Sequence, residues 1–472
     1  MTDKNDSEKK MNESGLPKKA VNVDADGLPI SLEENSMESK TFSNHLQGES
    51  SINKTIQDEF TEDEEEDIYQ PIRVHRFATI MNMLNSLLGA GILGVPCSMM
   101  NIGIIPSILL LLFIAFLSHV CTVLTIKLQI RTNADGLDDL AFRILGRIGS
   151  TSLSIMSMLF CYSCMVAYLV INYGSIASFF DLGHIKVDKT WQRALIVFIY
   201  GCLIPIPLTF PRQIGFLKYC SYVSFGGIIF FVISMIIKGI IILPYPDGSS
   251  PKIIVAKMGM GMFSSISIYG LAFALPVVVL PIIAPYNKNV LKRSIISLVS
   301  IILCFVLVVI PGVIGYLLFG EKTKSIVIEN FSSNDGLMIA VRIGFFFVVS
   351  FSYPAIGQSI MASWSSIFFK INAQGELPFQ KRIVVLGITN IIPLGLAMFL
   401  PDAKPALGIG GAFGGCMVDF FFPALMWVVL SKHRWFFWQN ILCILIVIIG
   451  VTCAVIATYQ SILDAVDAFK NS

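Results

Sequence analysis

Three glycines and a proline fall within eight residues in Gly89-Ala90-Gly91-Ile92-Leu93-Gly94-Val95-Pro96. Gly89-x-Gly91-x-x-Gly94 has the spacing of a dinucleotide fingerprint, but no strand precedes it and the flanks are apolar, so the phosphate-cradling turn has no context. In a long apolar stretch such a run weakens a helix. Freed N–H groups can then hold a carboxylate, and freed C=O groups an amine or a cation. The same small residues also let two helices pack closely, and the pattern alone carries both readings. A second interruption, Ile268-Tyr269-Gly270-Leu271-Ala272-Phe273-Ala274-Leu275-Pro276, is followed by Pro281 and Pro285. Asp419, in Val418-Asp419-Phe420, is the one acid inside an apolar stretch of membrane length. Such a carboxyl either carries a proton or serves as a structural hydrogen bonder. Cys161 and Cys164 have the spacing of a redox or metal pair, yet on a helix they share a face, with no second ligand pair to match. His119 is a second candidate for carrying a proton, but it reads better as a core histidine. No paired acids, histidine cluster or nucleophile–base constellation stands out, so no catalytic residue, cofactor, disulfide or nucleic-acid surface is expected.

The elements that must position these residues follow from charge. The 472 residues are 54% hydrophobic and only 14% charged, with a mean hydropathy of +0.73. Residues 1–76 hold 18 acids and 9 bases, a net of −9, whereas residues 77–472 hold 14 acids and 25 bases, a net of +11. The first part cannot bury enough apolar surface to offset chain entropy and is expected to be a disordered acidic tail. It has no apolar h-region of a signal peptide. The remainder cannot clothe soluble domains in charge and is expected to be an all-α polytopic membrane domain over 77–463, with 464–472 a short tail.

Phe77–Ile126 runs 50 residues without Asp, Glu, Lys or Arg, enough for two spans. Further spans are expected near 148–176, 193–210, 217–243, 263–285, 294–319, 336–368, 383–400, 406–430 and 436–463, eleven in all. Pro205 and Pro207 interrupt the fourth, and Pro354 should tilt or bend the eighth. Loops on the side of the tail carry 14 Lys and Arg against 9 on the other, which puts the N-terminus in the cytosol. Asn330-Phe331-Ser332 is then a glycosylation sequon in a non-cytosolic loop, and the C-terminus is non-cytosolic. The two interruptions lie five spans apart, the pattern of two inverted five-helix repeats, with span eleven as an addition.

Asn82-x-x-Asn85-x-x-x-Gly89-x-Gly91-Ile92-Leu93-Gly94-x-Pro96 resembles the first span of the amino acid/auxin permease family. Gly136-Leu137-Asp138-Asp139-Leu140-Ala141, Pro207-Leu208-x-Phe210-Pro211 and Gly315-Tyr316-Leu317-Leu318-Phe319-Gly320 are similar to it as well. The likeness covers about 77–463 and extends to the sodium-coupled neutral amino acid transporters and the vacuolar amino acid transporters. It implies a leucine-transporter-like fold of eleven helices, the first and sixth discontinuous, that moves amino acids by alternating access as a secondary transporter.

The resemblance places a substrate site on the backbone of Gly89, Ala90, Gly91, Ile92 and Leu93, with Leu271, Ala272, Phe273 and Ala274 around the side chain. That lining is apolar, so a neutral amino acid is the expected substrate. It also suggests an ion site at Asn85 with Ser352, Ser350 being a further candidate nearby in sequence, although hydroxyls bonded back to their own helix at a proline kink fit the serines equally. Sodium through these residues and a proton through Asp419 are the two coupling schemes. The proton is favoured, because Asp419 is the one costly residue within a span and the external loops lack the cysteines of the animal sodium-coupled members. An amino-acid receptor signalling through the tail is the alternative from another class. A vacuolar, lysosomal or plasma membrane fits the residues equally, and oligomeric state is not legible.

Overall fold

The computed structural model describes residues 75–89, 91–187, 189–211, 215–245, 250–257, 259–287, 289–369, 378–431 and 437–470, with backbone alone for 215–221 and 366. The acidic tail up to residue 74, and Ala90, lie outside the described residues.

All secondary structure among the described residues is helical. The first half comprises α1 (Arg76–Leu87), α2 (Gly91–Ile102), α3 (Ile104–Thr132), α4 (Leu137–Leu182), α5 (Thr190–Leu203), α6 (Pro205–Leu208) and α7 (Gly215–Ile242). The second comprises α8 (Gly261–Ala272), α9 (Pro276–Ile283), α10 (Val290–Phe319), α11 (Gly336–Phe369), α12 (Phe379–Phe399), α13 (Lys404–Gly411), a π-helical stretch (Ala412–Phe421), α14 (Phe422–Leu430) and α15 (Trp438–Lys470). Among the described residues ten helices are long and apolar enough to cross a membrane, and eleven when α1 and α2 count as one bent span. The side on which α1 begins is called the near side below, and the opposite one the far side.

Expected and observed spans largely agree, with two informative differences. The third span begins just after Gly146, whose φ is +70°, close to the expected 148, but a short polar helix carrying Asp138, Asp139 and Arg143 precedes it and runs into it there within α4. The fourth is interrupted at Ile204, between α5 and α6, as its prolines lead one to expect, because Pro205 removes a backbone donor. The last helix continues to Lys470, so residues 464–470 form its final turns.

Outward faces present Leu109, Phe116 and Ile391, as a lipid-facing surface requires. Inward packing then depends on close fit and buried hydrogen bonds rather than on water exclusion. Setting aside the bent α1–α2 pair, the span of α8 and α9 is the most enclosed, 78% buried where none of the other nine exceeds 56%, and α2, α13, the π stretch and α15 all pack on it. A frame of α4, α11 and α12 stands beside it. Buried polar contacts pin that frame: Trp364 Nε1 donates to Tyr162 Oη at 2.7 Å, and Tyr353 Oη donates to Asn390 Oδ1 at 3.2 Å.

Candidate functional site

Two interruptions meet at the centre. α1 and α2 are bent by 54° across Leu88–Ala90, and α8 gives way to α9 across 273–275. A Cβ on Gly91 would lie 3.3 Å from both the Cα and the N of Ala272. The two broken stretches therefore approach backbone to backbone, so closely that any side chain at 91 would force Ala272 to shift. Two far-off side chains hold the second break: Ser118 Oγ donates to the carbonyl of Phe273 at 2.6 Å, and Cys304 Sγ faces that of Ala272 at 3.5 Å.

A cavity of about 1050 Å³ opens beside this contact. Gly89, Gly91, Leu271, Ala274, Tyr168 and Leu407 line its inner end. It widens past Ser352, Cys161 and Cys164 to a mouth at Asp135–Asp139, on the near side. At that mouth Arg143 Nε pairs with Asp139 Oδ2 at 2.9 Å, and Ser154 Oγ donates to Asp138 Oδ1 at 3.0 Å.

The expected site residues separate into those on the wall and those behind it. Gly89, Gly91, Leu271 and Ala274 are on the wall; Ile92, Leu93, Ala272 and Phe273 are packed in the core at 2% exposure or less. Of the ion candidates, Asn85 and Ser352 reach the cavity. Asn85 Oδ1 is buried with no hydrogen-bond partner, while Ser352 Oγ donates to the Val348 carbonyl at 2.8 Å. Ser350 belongs to another place: its hydroxyl lies 2.8 Å from Tyr200 Oη and accepts from Asn172 Nδ2 at 3.2 Å. Asp419 is fully buried behind the wall, where Oδ1 accepts from the N–H of Val277, in the first turn of α9, at 3.1 Å. Its Oδ2 has no hydrogen-bond partner, and Val277 itself lines the cavity. His119 Nδ1 lies 3.4 Å from Ser297 Oγ. Asn330 closes a loop, Nδ2 donating to Lys322 O and Oδ1 accepting from Lys324 N, both at 2.8 Å.

Sequence reasoning missed Tyr168, whose hydroxyl would be 2.9 Å from a Cβ on Gly89. A signal existed: Cys161, Cys164 and Tyr168 recur at helical spacing, so one face of α4 carries all three to the cavity. Leu407 and the Asp135–Arg143 mouth had no such signal.

Among the described residues no three His, Cys, Asp or Glu side chains gather as a metal site would require. The chemistry on offer is that of binding. The wall supplies backbone at a helix break, an unpartnered carboxamide oxygen and an apolar lining, which together suit a small zwitterion or a monovalent cation.

Comparison with known proteins agrees in kind. Residues 76–463 match the family described as transmembrane amino acid transporter protein. The chain is 25% identical over 371 residues to amino acid transporter AVT6C of Arabidopsis thaliana, covering 73% of this chain and 83% of the relative. With amino acid transporter AVT6D of the same plant the identity is 23% over 410 residues, covering 81% and 91%. With the putative sodium-coupled neutral amino acid transporter 10 of Xenopus laevis it is 24% over 399 residues, covering 81% of this chain and 37% of the relative. The chain is a multi-pass membrane protein that belongs to the transmembrane amino acid transporter family, a family of transporters and not of enzymes.

Proposed function

We propose that this protein moves neutral amino acids across a membrane by alternating access, driven by a proton or sodium gradient. The contact between the two helix breaks carries the proposal: Gly91 against Ala272, at the inner end of a cavity open toward the near side. Broken helix ends leave backbone donors and acceptors free for the α-carboxylate and α-ammonium of a zwitterion. The side chain then faces Leu271 and Ala274, where a net charge would find no counter-charge on the wall nearby. Spans one to five and six to ten form two inverted repeats in this reading, α15 being the addition, and helices one and six are the discontinuous pair. With the N-terminus in the cytosol, the conformer is open to the cytosol.

Reconstituted protein tests this directly. Labelled alanine, leucine or glutamine should accumulate in vesicles under a pH or sodium gradient, and unlabelled neutral amino acids should compete. Preference for lysine or glutamate over every neutral amino acid would defeat the apolar-pocket reading. Absence of gradient-driven uptake in folded protein would defeat coupled transport.

A further inference from the structure

The far side of the cavity is closed by the loop between α10 and α11. The carbonyl of Ser325 lies 3.9 Å from where a Cβ on Gly94 would stand, and that Cβ would touch Leu407, a wall residue. Ser325 Oγ donates to Asp402 Oδ2 at 2.5 Å, tying the loop to the start of α13. Val327 packs on Gly315 of α10. Two residues on, Glu329 is half-buried, its carboxyl end turned onto Gly174 of α4, where a Cβ would collide with it.

We propose that Glu329 is the proton site of this seal: neutral, it lets the loop stay shut over the cavity, and ionised, it drives the seal open toward the far side. The proposal rests on the alternating-access reading above. Among the described residues the Glu329 carboxyl has no hydrogen bond or ion pair, although four charged groups face it. Three are committed elsewhere. Arg193 of α5 stacks on Tyr173 at 4.6 Å and donates through its two terminal nitrogens to the carbonyls of Leu400 and Pro401, its Nε alone left without a partner. Arg342 of α11 donates to the carbonyls of Ile328, Phe331 and Ser332. Lys324 Nζ donates to the carbonyl of Glu329 itself at 3.2 Å. The fourth, Asp402, is a like charge, and it adjoins the Lys404–Asp464 pair at 3.2 Å.

A carboxylate enclosed without a donor is costly, whereas a neutral carboxyl is not. Burial first, and Asp402 second, push the Glu329 carboxyl from 4.5 up to about 7, against the opposing pull of Lys324, Arg193 and Arg342. Once the loop lifts, water restores the ordinary value. The shut state therefore binds the proton more tightly, so the preference for it is complete at acid pH and lost as pH rises through about 7. The whole shift corresponds to a bias of about 300-fold between shut and open. Acid on the far side would thus turn the carrier toward the near side, the sense needed to move proton and substrate together.

Cys97 of α2 is a native reporter, 3% exposed beneath the seal and facing Lys404, Asp402 and Asp464. Its reaction with a membrane-impermeant maleimide added on the far side of reconstituted vesicles is read by peptide mass spectrometry. Because thiol ionisation also follows pH, the wild-type rate is divided by that of Glu329→Gln at each pH. The expected ratio rises by about tenfold or more between pH 5 and 8. Asp402→Asn should move the midpoint to lower pH, a shift that can be read against wild type alone if Glu329→Gln does not fold. A flat ratio, with Cys161 still labelled normally from the near side, overturns the proposal. Amino acid uptake in the same vesicles separates the two readings. Uptake with a flat ratio sinks the proton site alone. A pH-dependent ratio without uptake sinks the transport reading and leaves the seal.

Discussion

The two mouths of the cavity use similar residues to opposite ends. At the near mouth Asp138, Ser154 and the Asp139–Arg143 pair are partly exposed and bond each other at the edge of an open vestibule. At the far mouth three side chains bond the backbone of a loop, Arg193 to 400–401, Arg342 to 328–332 and Asn330 to Lys322, beside the side-chain pairs Ser325–Asp402 and Lys404–Asp464. Lys257 N–H bonds the Ile102 carbonyl, drawing the segment after α7 onto the turn between α2 and α3. An open mouth leaves its polar groups to water, whereas a shut one must satisfy them from within. To exchange roles, the far mouth has to replace each of those bonds, and the near mouth has to acquire equivalents. On the alternating-access reading, those loop carbonyls are where the barrier between the two conformers would lie.

The largest expected effect removes the point about which both mouths are arranged. Gly91→Val places a branched side chain where the Ala272 backbone is already 3.3 Å away. Uptake should fall by about a hundredfold or more, while membrane insertion survives. Normal uptake at unchanged affinity would mean that the breaks do not form the site. Next in size is Asp419→Asn. Asn keeps the acceptor for the Val277 N–H but cannot titrate. With Asp419 as the proton carrier, pH-driven uptake should drop by about tenfold or more, while substrate exchange, which needs no net proton release, continues. Uptake driven by pH at the wild-type rate would remove Asp419 from the cycle and leave the proton to another group, such as Glu329 at the far seal.

How far the sequence carried this picture differs between the same two regions. The spans were legible because about 20 apolar residues must cross a bilayer, and the broken stretches because Gly and Pro weaken helices wherever they occur. That Gly89 and Gly91 reach the cavity while Ile92 and Leu93 do not is a matter of helix phase after the bend, which a motif cannot specify. Ser350 and Ser352 look equivalent in sequence, yet two residues along a helix turn them to opposite surroundings. The far seal was not legible at all. It joins Arg193 to Pro401 and Ser325 to Asp402, partners 208 and 77 residues apart, through loops with no periodicity to read.

Thiol chemistry sharpens the contrast between the mouths at a smaller scale. Cys161 and Cys164 line the cavity, whereas Cys304 is fully buried behind the broken stretch of the sixth span. A water-soluble thiol reagent added on the near side should modify the first two about tenfold faster than Cys304, because a fully buried thiol reacts only through local opening. Saturating neutral amino acid should slow the first two reactions. Equal rates for all three, or no protection by substrate, would mean that the cavity is not the route that substrate takes.

The smallest expected effect separates the two ion candidates that share the wall. Asn85 Oδ1 is buried without a partner, so a bound cation or ammonium would gain a contact there at no cost to an existing bond. Ser352 Oγ already donates to the Val348 carbonyl and has only a lone pair left. Losing one hydrogen-bond-sized contact of about 1 kcal/mol should raise the apparent sodium or substrate requirement of Asn85→Ala by about fivefold. Ser352→Ala should change it by less than about twofold, because its main bond is internal to the helix. Uptake measured across sodium and substrate concentrations distinguishes the two variants. A larger effect from Ser352 than from Asn85 would show that the serine turns away from Val348 during the cycle, and that the open-mouthed conformer is not the one that holds the ion.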